Sequence, residues 1–124
     1  MKRILGMIMC LIAAAQLANA QSVDEGKQFF YYERYSSAKA TLEKVLAANP
    51  NDIDAVYWLG QSLIELKDSS AAKDLYSKAL MQNGNAPLLL VGMGQIELME
   101  GKKDDAKQRF ETAISLTKGR NVEI

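Results

Sequence analysis

The sequence contains no histidine, one cysteine (Cys10) and two prolines (Pro50 and Pro87) among its 124 residues. Without histidine, the chain lacks the commonest general base and a common metal ligand. The middle of the chain also lacks the alternating Val/Ile/Thr-rich segments that are typical of strands. Ala, Leu, Lys, Glu and Gln, which favour helices, are abundant. We therefore expect an all-α fold and no enzymatic activity.

Charge and glycine patterns provide no sign of a nucleotide, metal or nucleic-acid site. Fifteen basic and fifteen acidic side chains leave a net charge of zero, which argues against nucleic acid as a partner. Gly92-Met93-Gly94 lies inside a helical pattern and not in a phosphate-binding loop. The acidic pairs Asp104-Asp105 and Asp52/Asp54 are explained by the preference for negative charge at helix starts. We predict no cofactor, no metal and no catalytic residues.

The first 20 residues have the three parts of a secretory signal peptide. Lys2 and Arg3 are basic, residues 4–17 are mostly apolar, and Ala18-Asn19-Ala20 fits a signal-peptidase site. An uncleaved membrane anchor is the alternative, but the apolar run is shorter than the roughly 20 residues that span a bilayer. Met9 argues against a lipid anchor at Cys10. We expect cleavage near Ala20, no membrane span afterwards, and a periplasmic or envelope-associated protein without cysteine.

A repeat with a period of 34 residues runs through the rest of the sequence. Small residues let two helices approach closely, so we expect the repeated glycine on the first helix of each hairpin to face the repeated alanine on the second helix. The larger residues Leu42, Tyr76 and Phe110, which also recur at this interval, should then fill the space between successive hairpins. Five columns recur at this interval, and their members are Gly26, Gly60 and Gly94; Ala38, Ala72 and Ala106; Leu42, Tyr76 and Phe110; Val45, Ala79 and Ala113; and Leu46, Leu80 and Ile114.

Helix boundary signals divide each unit into two helices. Ser22 and Glu25 form a capping box for a helix that should run to about Arg34. Ser36 or Ser37 should cap a second helix ending near Asn49-Pro50. The later boundary signals are a cap at Asp52, a turn at Asp68-Ser69-Ser70, a first helical turn at Pro87 and a helix stop at Gly101.

These columns resemble the tetratricopeptide repeat, with its small residues followed by an aromatic one. The second unit matches best, through Leu59-Gly60, Leu63, Ala72, Tyr76 and Ala79. Departures are Val56 in place of the tryptophan, Gly84 and Lys118 in place of the terminal proline, and Glu97 at an aromatic position. The resemblance implies a right-handed α-α superhelix of three antiparallel hairpins. They would span about residues 19–52, 53–86 and 87–120, and residues 121–124 would form a tail or begin another helix.

In this family the first helices line a concave groove that binds a peptide or a partner helix. Carried over by position, the resemblance implies a scaffold whose groove residues include Lys27, Tyr31, Tyr57, Trp58, Gln61, Glu65, Val91 and Gln95. Further positions on the same helices are Val23, Phe30, Asp54, Leu88, Leu98 and Met99. The family's Lys/Asn clamp for a terminal carboxylate has no counterpart, which favours a more apolar ligand.

Three questions stay open at the level of sequence. Tyr57 and Trp58 could be groove residues or core residues. The chain could instead be a structural or self-associating N-terminal segment of a longer array, without a ligand groove of its own, since Ile114 and Leu116 could expose an apolar patch near its last residues. A third alternative is an accessory domain for an enzyme on another chain.

Overall fold

A computed structural model of the chain describes residues 21–121, and the side chains of residues 21–118. These residues form six α-helices and no strand, which are α1 (Val23–Tyr31), α2 (Tyr35–Ala48), α3 (Ile53–Glu65), α4 (Ser69–Gln82), α5 (Pro87–Met99) and α6 (Lys103–Asn121). The prediction of an all-α fold built from three helical hairpins is confirmed. The predicted signal peptide and most of the predicted tail, residues 122–124, lie outside the described residues.

Side-chain caps begin the helices at α1 and α3 as predicted. Ser22 Oγ accepts a hydrogen bond from the Glu25 N–H at 3.1 Å, and Asp52 Oδ1 accepts from the Ala55 N–H at 3.1 Å. The prediction of a cap at Ser36 or Ser37 is wrong. α2 begins at Tyr35, and Arg34 precedes it without a side-chain cap.

The first helix of every hairpin ends in the same left-handed turn. Glu33, Lys67 and Gly101 have φ angles of 60°, 66° and 80°. Around Glu33, the Arg34 N–H bonds to the Phe29 carbonyl and the Glu33 N–H to the Phe30 carbonyl, which is the Schellman arrangement. This turn ends α1 at Tyr31, three residues before the predicted end at Arg34. Of the three positions, only Gly101 predicts such a turn from sequence, because glycine adopts positive φ angles readily. Glu33 and Lys67 carry side chains and give no such signal.

The helices form two layers of different spacing. The first helices of successive hairpins contact one another, α1 with α3 and α3 with α5, whereas α2, α4 and α6 make no such contacts within the described residues. Since the inner spacing is smaller, the stack curves towards the first helices. α1, α3 and α5 therefore line the concave side.

A bulky side chain on each second helix packs against a glycine on the first helix of the same hairpin. We call these bulky side chains, Leu42, Tyr76 and Phe110, the wedge residues. A Cβ atom added to Gly60 would lie 2.1 Å from the Tyr76 ring, and one on Gly26 would lie 2.6 Å from Leu42. A Cβ atom on Gly94 would lie 2.7 Å from the Phe110 ring.

The alanine column is therefore not what the glycines face, and that prediction is corrected. The nearest atoms to a Cβ on each glycine belong to the wedge residue, which stands one helical turn after the alanine. The alanines are small because they are enclosed by the packing of their own hairpins. All three are fully buried, at 0% exposure, namely Ala38, Ala72 and Ala106.

Tyr76 also contributes to the packing between hairpins. Its ring would lie 2.6 Å from a Cβ atom on Gly92, which belongs to α5 of the next hairpin. Leu42, Tyr76 and Leu89 belong to one apolar cluster that runs through the stack. The central wedge residue thus joins the second hairpin to the third.

One buried carboxylate interrupts this apolar pattern. Glu97 is 7% exposed and occupies the position that Leu63 holds in the second unit. Arg109 Nε donates to Glu97 Oε1 at 2.6 Å, and Glu97 Oε2 has no hydrogen-bond partner among the described residues. Because the cost of burying the Glu97 charge offsets much of its attraction to Arg109, whose side chain is 36% exposed, we assign this pair to the pairing of α5 with α6 and not to a net gain in stability.

Gly60→Ala tests the glycine contact. The new methyl group would overlap the Tyr76 ring, so we expect the free energy of unfolding to fall by about 2 kcal/mol in spite of alanine's higher helix propensity. Gly84→Ala is the matched control, because the nearest atom to its added Cβ lies at 3.6 Å. Urea denaturation followed by circular dichroism measures both. Equal stability of the two variants would contradict the packing described above.

Candidate binding surface

Five aromatic side chains form a connected cluster where α1, α2 and α3 meet. The ring centroids of Phe30 and Trp58 are 5.2 Å apart, those of Tyr31 and Trp58 are 5.7 Å apart, and those of Tyr57 and Trp58 are 5.3 Å apart. All three pairs are edge-to-face, the geometry that aromatic quadrupoles favour. Tyr35 belongs to the same cluster because its ring centroid lies 5.2 Å from that of Phe30. We call Phe30, Tyr31, Tyr35, Tyr57 and Trp58 the aromatic cluster.

One side of the aromatic cluster packs against the core and the other side is exposed to solvent. Phe30, Tyr57 and Trp58 are half-buried, whereas Tyr31 is 69% exposed. Lys27 Nζ lies 5.6 Å from the centre of the Trp58 ring, a cation–π contact of about 0.5–1 kcal/mol at an exposed site. Tyr57 and Trp58 are thus both core and surface residues, because each packs against the apolar core on one side and is partly exposed on the other.

A second set of contacts lies deeper, between α3, α4 and α5. Gln61 Nε2 donates to Gln95 Oε1 at 2.7 Å and to the Tyr76 hydroxyl at 3.2 Å. The Tyr76 hydroxyl in turn donates to the Tyr57 carbonyl at 2.8 Å. Gln61 and Gln95 occupy the same position in successive repeats, so their amides form a short ladder along the concave side. This network ties the base of the aromatic cluster to the central wedge residue.

Burial changes the acidity of the tyrosines in this region. Burial raises the pKa of Tyr76 strongly, although the Gln61 hydrogen bond opposes the change. Burial and then the nearby Tyr31 raise the pKa of Tyr57. Burial and then the negative charges of Glu65 and Glu33 raise the pKa of Tyr35. All three side chains therefore favour the neutral, hydrogen-bonding form.

The residues predicted for the groove fall into separate places. Lys27, Tyr31, Tyr57 and Trp58 come together in or beside the aromatic cluster, and Gln61 and Gln95 form the amide ladder. Glu65 is exposed at the end of α3, where its charge acts on Tyr35. Val91 lies farther along, among apolar side chains between α5 and α6.

Sequence reasoning did not place Tyr35 with the groove. The groove residues were carried over from the first helices of the family, and Tyr35 is not on a first helix. The predicted cap at Ser36 or Ser37 also placed Tyr35 in the turn between helices. Its spacing of four residues from Tyr31 was the available signal, but the left-handed turn at Glu33 separates the two residues.

The described residues contain no group of three His, Cys, Asp or Glu side chains placed to hold a metal ion. Among them, no helix is both long and apolar enough to cross a bilayer.

Helical hairpins stacked at a period of 34 residues define a helical-repeat scaffold. The family model of the tetratricopeptide repeat matches residues 30–89, so this part of the chain consists of tetratricopeptide repeats. That fold is a scaffold for protein–protein interaction, typically without enzymatic activity of its own. No curated protein matches the chain at a significant level.

Solved structures of MamA share the fold. One MamA crystal structure has a TM-score of 0.68 and 19% sequence identity, and covers 85% of this chain and 64% of the MamA chain. Another, labelled MSR-1, has a TM-score of 0.64 and 24% identity, and covers 77% and 55%. The chain thus spans less than two thirds of the length of these MamA chains.

Tyr76→Phe tests the buried hydroxyl through pH. The raised pKa means that Tyr76 stabilises the fold fully below its unfolded pKa of about 10, and that this contribution is lost as the pH rises further. We therefore expect the urea midpoint of the wild type to fall between about pH 9 and pH 11 more steeply than that of Tyr76→Phe.

The control for this comparison is Tyr32→Phe, which removes a hydroxyl from a side chain that is 78% exposed. Its midpoint should follow the wild type at every pH. At neutral pH, Tyr76→Phe should cost about 1 kcal/mol for the lost hydrogen bonds. Parallel curves for all three proteins would contradict a role for the buried hydroxyl.

Proposed function

We propose that this protein is a non-enzymatic scaffold that docks a peptide or helix of a partner protein in its concave groove. The observation that carries the proposal is the aromatic cluster, with Tyr31 largely exposed above a half-buried Trp58. A rigid aromatic side chain gains contact area on binding and loses little conformational freedom. The edge-to-face contacts around Trp58 hold these rings in place before a partner arrives.

The chemistry of the surface indicates an apolar or aromatic ligand segment. Tyr31, Tyr57 and Trp58 offer ring faces and edges, and Lys27 contributes a cation beside the Trp58 ring. Gln61 and Gln95, further along the groove, could pair with the polar backbone of a bound segment. The set does not form the Lys/Asn clamp that would hold a terminal carboxylate.

We further propose that the protein acts in the cell envelope. The support is the sequence of residues 1–20, with its basic start, apolar run and Ala18-Asn19-Ala20 site. The chain from Gln21 onward contains no cysteine, so an oxidising compartment imposes no requirement for disulfides.

Neighbouring tyrosines provide a matched test of the groove. Tyr31 belongs to the aromatic cluster, whereas Tyr32 lies outside that cluster and is 78% exposed. We expect Tyr31→Ala to weaken capture of an envelope partner about tenfold or more, and Tyr32→Ala to leave it unchanged. Affinity capture from envelope extracts, with quantitative mass spectrometry, measures both. Equal capture by the two variants would disprove the groove assignment.

A second experiment tests the location. Fractionation of cells that express the full chain should recover it outside the cytoplasm, with Gln21 as the first residue by mass spectrometry. A protein that retains residues 1–20 and stays in the cytoplasm would contradict export. Ala18→Leu and Ala20→Leu, which make the cleavage site too bulky, should block processing.

A further inference from the structure

A polar cavity lies between α5 and α6, and the buried Glu97 side chain lines it. Its volume is about 450 Å³, far more than the roughly 30 Å³ of one water molecule, so it has room for a group the size of a side chain. Two lining residues belong to α5 and four to α6, namely Leu90, Glu97, Asp105, Gln108, Arg109 and Thr112. We call this space the Glu97 cavity.

The Glu97 cavity lies on the side of the third hairpin that faces the second. One repeat earlier, three equivalent positions line a cavity together with Leu46 of the first hairpin, and these are Val56, Leu75 and Lys78. Phe110, whose equivalent Tyr76 contacts the following hairpin, does not line the Glu97 cavity. The cavity therefore does not depend on what stacks against Phe110.

The second repeat shows that the hairpin packs without charges at these positions. Leu63 and Leu75 stand where the third repeat has Glu97 and Arg109. Leu63 is buried, and Leu75 packs against the apolar core. Since an apolar pair of similar volume is often as stable as a buried ion pair, the charges at the third repeat call for a role beyond packing.

One oxygen of the Glu97 carboxylate is not used by the ion pair. Arg109 donates from Nε to Oε1 at 2.6 Å, and not through the two-pronged geometry that engages both oxygens. Oε2 has no hydrogen-bond partner among the described residues, and the Glu97 side chain is only 9% exposed. A charged acceptor that is buried without a partner is unfavourable, so this oxygen has much to gain from an added donor.

The charges around the cavity favour a cation. The lining carries two carboxylates, of Glu97 and Asp105, and one guanidinium, of Arg109, which leaves one negative charge. The Arg109 side chain is 36% exposed, so it can turn outward and admit a second donor to the carboxylate. An ammonium or guanidinium group supplies both the positive charge and the N–H donor that the site requires.

We propose that the Glu97 cavity binds one ammonium or guanidinium group, carried by a free amine or by a Lys or Arg side chain of a partner protein. An N–H of this group donates to Glu97 Oε2, and the Asp105 carboxylate balances the remaining charge. The site is separate from the aromatic cluster and does not depend on the proposed use of the concave groove.

Methylguanidinium and methylammonium are the direct probes. Added to the full chain labelled with ¹⁵N, each should shift the Arg109 Nε–H and the Thr112 backbone N–H resonances in a saturable way. We expect binding in the millimolar range, because such small ions make few contacts. Tetramethylammonium carries the same charge without an N–H donor and should give no saturable shift.

Two neighbouring aspartates provide a matched pair of variants. Asp104 and Asp105 both lie in the first turn of α6, but only Asp105 lines the cavity. We expect Asp105→Asn to weaken binding about threefold and Asp104→Asn to leave it unchanged. Glu97→Gln should weaken binding about tenfold or more, since it removes the charge of the acceptor.

A double variant separates binding from folding. Glu97→Leu with Arg109→Leu installs the residues of the second repeat, so it should stay folded and lose the shift of Thr112. Capped Gly-Arg-Gly and Gly-Lys-Gly peptides then identify the source of the cation. Tighter binding of a peptide than of the free ion would assign the site to a protein side chain, and weaker binding would assign it to a free amine.

Three outcomes would overturn the proposal. The first is that neither methylguanidinium nor methylammonium gives a saturable shift. The second is that tetramethylammonium binds as well as they do, which would reduce the effect to charge alone. The third is equal binding by Asp104→Asn and Asp105→Asn together with binding that survives the Glu97→Leu/Arg109→Leu change.

Discussion

The close fit of a bulky side chain against a glycine is the constraint on which the other features depend. Tyr76 lies between Gly60 of its own hairpin and Gly92 of the next, so one ring sets both the width of a hairpin and the distance to its neighbour. Neither glycine can gain a side chain without moving that ring. Since the interior is packed as densely as a crystal, such a change shifts helices and does not fill spare room.

The candidate binding surface depends on the same ring. The Tyr76 hydroxyl bonds to the Tyr57 carbonyl and accepts from Gln61, which fixes α3 where Tyr57 and Trp58 project towards α1. The aromatic cluster is therefore supported by backbone as well as by ring contacts. A surface held in this way can bind a partner with little further loss of side-chain entropy.

The two ends of the stack differ in chemistry. The outer face of α1 is polar, with Ser22, Glu25 and Gln28. At the other end, Phe110 and Ile114 leave apolar area in contact with water, where the equivalent Tyr76 is fully buried.

The sequence by itself determined the helical hairpins, their period and the small and bulky columns, because these depend on local propensity and on spacing along one chain. It also located Lys27, Tyr31, Tyr57 and Trp58 on the inner helices. Only the tertiary structure decided that glycines face the wedge residues and not the alanine column, that Tyr35 joins the aromatic cluster and that α2 begins without a side-chain cap. These features arise from left-handed turns at Glu33 and Lys67 and from contacts between helices distant in sequence, which no local pattern encodes.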